Sequence, residues 1–187
     1  TLASDHSANR KDMQYYNEAI YCYYLEDYEG AMRAAKQALK LGSIKASYLL
    51  IELYYDEDSP YRDVEKTISY AKQLFEATKD PELAFLLGIV YDQQLKDYVK
   101  AVNWYENAER LGHKRVAFYL GRIYYYGLLR TKRDGGKALS YFKKARENGI
   151  QEAEGYIKDL EDLKGEDLQT AVEKWERAVE AGSESAA

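Results

Sequence analysis

The chain has 187 residues, a formal net charge of −5 at pH 7, and 20 tyrosines against four phenylalanines. This mild negative charge argues against general nucleic-acid binding, and no apolar run approaches the roughly 18 residues of a membrane-spanning helix. Cys22 is the only cysteine, so no intrachain disulfide can form, which is compatible with the cytosol or a periplasm.

The first ten residues are mostly small and polar, and we expect residues 1–10 to form a disordered lead-in. A fixed spacing then recurs along residues 11–187. Each instance has an aspartate, an alanine four residues later, a second alanine seven residues further and a glycine after another four. The instances run from Asp27 to Gly42, Asp97 to Gly112, Asp134 to Gly149 and Asp167 to Gly182, and Lys79 stands where the glycine of a further instance would be.

This spacing predicts one domain of about five repeats, each 33 to 37 residues long, at about 11–42, 43–79, 80–112, 113–149 and 150–182. Internal repetition with such a period is typical of a solenoid. The predicted fold class is therefore all-α, an α/α solenoid or superhelix of antiparallel helix pairs.

The third repeat shows how one pair is built. Apolar residues at helical spacing predict helix A at 81–94, and Asp97 is the expected N-cap of helix B, which Gly112 ends. Gly88 recurs as Gly121, which suggests close helix contact at this position. Across the chain we expect helix A at 11–25, 44–56, 81–94, 114–127 and 151–163, and helix B at 28–41, 62–78, 98–111, 135–148 and 168–181.

These residues resemble the Sel-one-like (Sel1-like) repeat family, a branch of the tetratricopeptide superfamily. The fourth repeat, AFYLGRIYYYGLLRTKRDGGKALSYFKKARENG, is similar to the family pattern throughout. The loop between the helices varies, with six residues from Tyr91 to Asp97 and ten from Tyr124 to Asp134, which is typical of this branch. In the third repeat the pattern is carried by Leu87, Gly88, Tyr91, Asp97, Lys100, Ala101, Trp104, Tyr105, Ala108 and Gly112.

The resemblance implies a right-handed superhelix in which helix A lines the concave side. It also implies a protein that holds other proteins, often in bacterial envelopes. A periplasmic or cell-envelope location is therefore expected, with the cytoplasm as the alternative.

If helix A lines a groove, its outward positions form the candidate partner-binding site. An aromatic row is predicted at Tyr15, Tyr48, Phe85 and Phe118, broken at Gly155. The preference for tyrosine over phenylalanine suits rings with one wet edge at a protein-binding surface. Alternatively, these tyrosines fill ordinary packing positions, above all the core position Tyr21, Tyr54, Tyr91 and Tyr124. The full predicted set is Tyr15, Tyr48, Glu52, Tyr55, Phe85, Ile89, Asp92, Arg115, Phe118, Arg122, Tyr125 and Tyr126.

Charge is segregated along the chain. Residues 113–149 hold ten Lys or Arg and two acids, a balance of +8, whereas residues 150–187 hold eleven acids and four bases, a balance of −7. Such runs often form solvated faces. The functional alternative is an acidic partner that docks near Arg115, Arg122 and the loop from Arg130 to Arg133.

No catalytic, cofactor or metal constellation is predicted, and the S-x-x-K strings at 69–72 and 140–143 lack the partner motifs of penicillin-binding enzymes. The sequence predicts a non-catalytic scaffold that binds a partner protein through an aromatic groove. One alternative is an immunity or inhibitor protein that neutralises a secreted bacterial toxin enzyme, such as a phospholipase. Another is a self-associating structural adaptor, although a monomer is expected.

Overall fold

A computed structural model describes residues 2–163 and 168–186. Over these residues the chain forms ten α-helices and one π-helical turn, and no strand. The predicted all-α class of successive helix pairs is thus confirmed. The chain divides into two compact bodies, Thr1–Lys79 and Asp80–Ala187, and the division falls between the second and third predicted repeats in the sequence.

The N-terminal body consists of α1 (Leu2–Tyr24), α2 (Tyr28–Lys40), α3 (Ile44–Tyr55) and α4 (Val64–Thr78). Helix α1 includes residues 2–10, so the expected disordered lead-in is corrected. No proline or glycine interrupts this stretch, and nothing local ends the helix. Its core is formed by alanines and leucines of α1, α2 and α3, with Tyr54 at the end of α3.

Short polar side chains begin the helices of this body. The Asp27 carboxylate accepts the Gly30 N–H at 2.9 Å, as predicted. Ser43 does the same for α3 and Asp63 for α4, at 3.2 and 3.0 Å. Lys79 has a φ of 52° at the end of α4, so it takes the left-handed conformation that Gly42, Gly112 and Gly149 adopt in three of the other repeats.

The C-terminal body consists of α5 (Pro81–Ile89), α6 (Tyr98–Arg110), α7 (Val116–Tyr126), α8 (Gly135–Glu147), α9 (Ala153–Leu163) and α10 (Leu168–Ala186). Helix α5 widens into a π-helical turn at Val90–Gln94. The predicted caps Asp97 and Asp134 accept the N–H groups of Lys100 and Lys137, at 3.2 and 2.9 Å. The predicted cap Asp167 lies outside the described residues.

The predicted glycines have two different roles. Gly112 and Gly149 each have a φ of +88° directly after a helix, in the left-handed region that favours glycine. Helix α10, in contrast, continues through Gly182, so the predicted helix end is absent there. A Cβ atom at Gly182 would lie 2.7 Å from the Tyr126 ring, so this glycine permits the close approach of α10 to α7.

One position on helix A controls how closely a pair packs. A Cβ atom on Gly88 would lie 2.5 Å from the Tyr105 ring, and one on Gly121 would lie 2.7 Å from the Phe142 ring. The predicted close contact is therefore present in the third and fourth repeats. In the fifth repeat this position is Lys158, which is exposed, and α10 makes few contacts with α9.

Candidate functional site

The predicted aromatic row falls in both bodies, and in the first repeat its register is shifted by one residue. The backbone N–H of the cap aspartate donates a hydrogen bond to the backbone carbonyl of the core residue of helix A. That residue is Tyr54, Tyr91 or Tyr124 in the second, third and fourth repeats. In the first repeat Asp27 bonds the carbonyl of Cys22 instead. Tyr21 is consequently 66% exposed, and its predicted core role is corrected.

The same shift changes the outward positions of α1. Tyr16, not Tyr15, is the equivalent of Tyr48, and the Lys45 ammonium lies 5.7 Å from its ring centroid. Tyr15 is half-buried beside it. The periodic pattern on α1 fits either register, because tyrosine stands at 15, 16, 21, 23 and 24.

The other N-terminal candidates, Tyr48, Glu52 and Tyr55, lie on α3. Glu52 is exposed, while Tyr48 and Tyr55 are half-buried. Loss of solvent around its carboxylate, followed by the charge of Asp56, raises the pKa of Glu52 although the side chain as a whole remains exposed. The Tyr23 hydroxyl donates to Asp56 at 2.9 Å, so α1 and α3 are joined here by a polar contact.

In the C-terminal body the aromatic row joins successive repeats. The Phe85 ring centroid lies 4.4 Å from that of His113, in the next repeat. The Phe118 centroid lies 5.8 Å from Phe142 and 6.0 Å from Tyr156. Both phenylalanines are half-buried, so these rings serve inter-repeat packing and are only partly accessible to solvent.

Two predicted groove residues are buried, which corrects the expectation that they line an open surface. Asp92 is 7% exposed, and its Oδ2 accepts the Tyr105 and Tyr119 hydroxyls at 3.1 and 3.3 Å. Tyr125 is 3% exposed among other rings. The π-helical turn, which the sequence pattern does not reveal, carries Asp92.

Arg122 is the most distinctive of the predicted residues that remain accessible. It is half-buried on α7, with its guanidinium carbon 5.9 Å from the Tyr126 ring centroid. Its Nε atom is buried and has no hydrogen-bond partner among the described residues. A buried donor without an acceptor is unfavourable, and an incoming oxygen acceptor would relieve it.

The helix A residues around Arg122 differ in chemistry from helix to helix. The equivalent positions are Ile89 on α5, which is half-buried, and Asp159 on α9, which is exposed. Arg115 is exposed at the start of α7. We call Ile89, Arg115, Arg122, Tyr126 and Asp159 the A-helix face. It is apolar on α5, cationic on α7 and anionic on α9.

Sequence reasoning missed Tyr156. Its hydroxyl lies 2.9 Å from that of Tyr126, and its ring stacks on Phe142 with centroids 4.5 Å apart. The break predicted at Gly155 is therefore filled from the next position of α9. The equivalent tyrosine in the fourth repeat is Tyr119, 37 residues earlier, and this spacing was the available signal.

The side chains that could take part in chemistry have structural surroundings instead. The imidazole Nδ1 of buried His113 accepts the Val116 N–H at 3.1 Å, so Nε2 carries the hydrogen that points to Glu82 at 3.3 Å. Burial, then the nearby Asp27, raises the pKa of the Cys22 thiol, which disfavours the reactive thiolate. Within the described residues no group of His, Cys, Asp and Glu has the arrangement of a metal site.

No helix in the described part of the chain is long and apolar enough to cross a membrane. Among the described residues, Ser140 and Lys143 line an apolar cavity of about 560 Å³ between α8, α9 and α10. The Lys143 ammonium lies 3.0 Å from the Glu161 carboxylate. The side chain of His6 lies outside the described part.

Comparison with known proteins agrees with the repeat architecture. The sequence model of the Sel1 repeat matches residues 81–113 and 115–150, which are the third and fourth repeats. A curated relative is the ERAD-associated E3 ubiquitin-protein ligase component HRD3 of Candida glabrata, 31% identical over 100 residues. The alignment covers 51% of this chain and 12% of that protein. Sel1 repeats indicate a protein–protein interaction scaffold. The predicted resemblance to the Sel1 repeat family is confirmed for the third and fourth repeats.

Proposed function

We propose that this chain is a non-catalytic scaffold whose C-terminal body binds a partner protein through the A-helix face. The observation that carries the proposal is Arg122, with its unpartnered Nε against the Tyr126 ring. Arginine beside tyrosine is a common energetic centre of protein interfaces. The role of the relative as a component of a ligase assembly supports a scaffold function.

The chemistry of the face defines the partner surface that fits it. An oxygen acceptor, best a carboxylate, would bond the Arg122 guanidinium while an apolar side chain covers Ile89. A basic side chain of the partner would face the Asp159 carboxylate. Because Phe85, Phe118 and Tyr125 already pack inside the body, they support the face but contribute little open area. The inhibitor role and the periplasmic location stay predictions from the sequence.

The test compares the wild type with Arg122→Ala in affinity capture from native extract. We expect one stoichiometric protein that the wild type retains and the variant loses. Arg110→Ala is the matched control, since Arg110 is an exposed arginine of α6 outside the face. Equal far-UV circular dichroism would show that all three proteins are folded. Retention of the same partner by Arg122→Ala would exclude the face.

A further inference from the structure

A second exposed feature of the C-terminal body lies at the loops that join helix A to helix B. A cleft of about 550 Å³ opens between the α5–α6 loop, the first turns of α6 and the α7–α8 loop. Its apolar lining includes Leu95, Val99, Val102 and Leu129. Leu95 is 48% and Val99 75% exposed. None of these four side chains belongs to the A-helix face.

The cations around this cleft are uncompensated. Lys96 and Arg130 line it, and neither makes an ion pair with any residue that the structure describes. The single carboxylate of the lining is Asp97, which accepts the Lys100 N–H and lies 3.4 Å from the Lys100 ammonium. The cleft therefore combines open apolar surface with unpaired positive charge.

The α7–α8 loop holds this arrangement in an unfavourable backbone conformation. Leu129 and Arg130 have φ values of 52° and 54°, and the Thr131 N–H bonds the Leu128 carbonyl at 2.9 Å. These are the φ values of a type I′ turn, whose central positions favour Gly, Asn and Asp. Leucine and arginine are costly there, and such strain is typical of functional sites.

The strained turn places the side chains of both Leu129 and Arg130 at the cleft. The Arg130 guanidinium lies 5.5 Å from the ring centroid of Tyr98, at the start of α6. Leu129 joins the apolar lining in the same turn. An Asn-Gly turn would have the same path at lower cost but would place neither side chain in the cleft.

We propose that this cleft binds an acidic segment of another protein. Apolar side chains of that segment would pack against Val99 and Leu129, and its carboxylates would face Lys96 and Arg130. Charge complementarity selects this occupant, because the fourth repeat has a balance of +8 and the cleft has one carboxylate that is already engaged. The site is separate from the A-helix face, so either proposal can fail alone.

The probe is a phage-displayed library of random 12-residue peptides, selected on the full chain. We expect enrichment of peptides that combine Asp or Glu with Leu, Ile or Phe. Synthetic copies should bind in fluorescence anisotropy, more weakly at high salt than at low salt. The double variant Leu129→Asn/Arg130→Gly should lose at least tenfold in affinity while its urea midpoint stays equal or rises. Arg122→Ala should bind these peptides like the wild type.

Two substitutions that introduce opposite charges at the same residue give a sharper control. Val99→Glu and Val99→Lys both remove the same exposed valine, so an acidic ligand should lose much more affinity for the first than for the second. Three results would overturn the proposal: no enrichment, equal binding by the double variant, or equal loss in the two Val99 variants. Peptides that require Arg122 would be assigned to the A-helix face and would also overturn it.

Discussion

At the scale of single residues, the contact between helices A and B depends on what stands at the position of Gly88 and Gly121. Large rings from helix B occupy the space that a side chain would need, since Tyr105 and Phe142 lie within 2.7 Å of the missing Cβ atoms. The first repeat solves the same problem with Ala19 on α1 and Ala35 on α2, both fully buried. The size of the residue at this position of helix A is therefore matched to the size of the residue that faces it from helix B.

Gly121→Ala tests this close contact. The added methyl group must displace the buried Phe142 ring, so we expect a net loss of about 1–2 kcal/mol in unfolding free energy, from overpacking less the gain in helix propensity. Gly155→Ala is the control, because nothing lies within 4 Å of its missing Cβ on the same kind of helix. It should gain up to about 1 kcal/mol. Urea denaturation measures both, and equal effects of the two changes would refute the contact.

At the scale of helices, the final pair packs less closely than the pairs of the third and fourth repeats. Trp175 on α10 is the equivalent of Tyr105 and Phe142, but Lys158 on α9 stands where those rings meet glycine. The Trp175 indole instead approaches Tyr125, with ring centroids 6.2 Å apart, and its Nε1 has no partner among the described residues. One residue on α9 therefore explains the loose packing of α10.

Lys158→Ala should let α10 pack more closely on α9. We expect slower amide hydrogen exchange across the described part of α10, because burying the indole stabilises the helix against local opening. Asp162→Ala, at an exposed position of the same helix, controls for the change in helix propensity. Exchange in α10 that is the same in both variants would show that Lys158 does not limit the packing.

At the scale of the whole molecule, some tyrosines pack inside the bodies and others lie at the surface, and the sequence does not separate the two groups. Apart from the start of α1 and the end of α10, the helix bounds were predicted within a few residues, and so were the caps and the close contacts, because they depend on local spacing. The one-residue shift in α1, the burial of Asp92 and the place of Tyr156 were not, since they depend on which of several adjacent rings faces the neighbouring repeat.

The buried tyrosines predict how the molecule responds to alkaline pH. Burial, the largest cause, raises the pKa of Tyr125 and Tyr141 to about 12, with nearby carboxylates adding to it. The unfolded chain loses these protons near pH 10 but the folded chain does not. Stability is therefore fully present below pH 10 and falls as pH rises toward 12.

Two measurements follow this response. Absorbance of tyrosinate should rise in two phases, with the second coinciding with unfolding, and Tyr125→Phe should weaken the fall in urea midpoint between pH 9 and about 11. Tyr21→Phe changes an exposed ring and should leave the fall unchanged. A single phase near pH 10 in the folded protein would contradict the burial of these hydroxyls.

The most direct test of the central claim, that the A-helix face binds a partner protein, is a calorimetric titration of the captured partner. Arg122→Ala should weaken binding by about 30-fold or more, as expected for an arginine at an interface centre worth at least about 2 kcal/mol. Arg110→Ala should bind like the wild type. A partner that binds the wild type and Arg122→Ala with equal affinity would contradict the account.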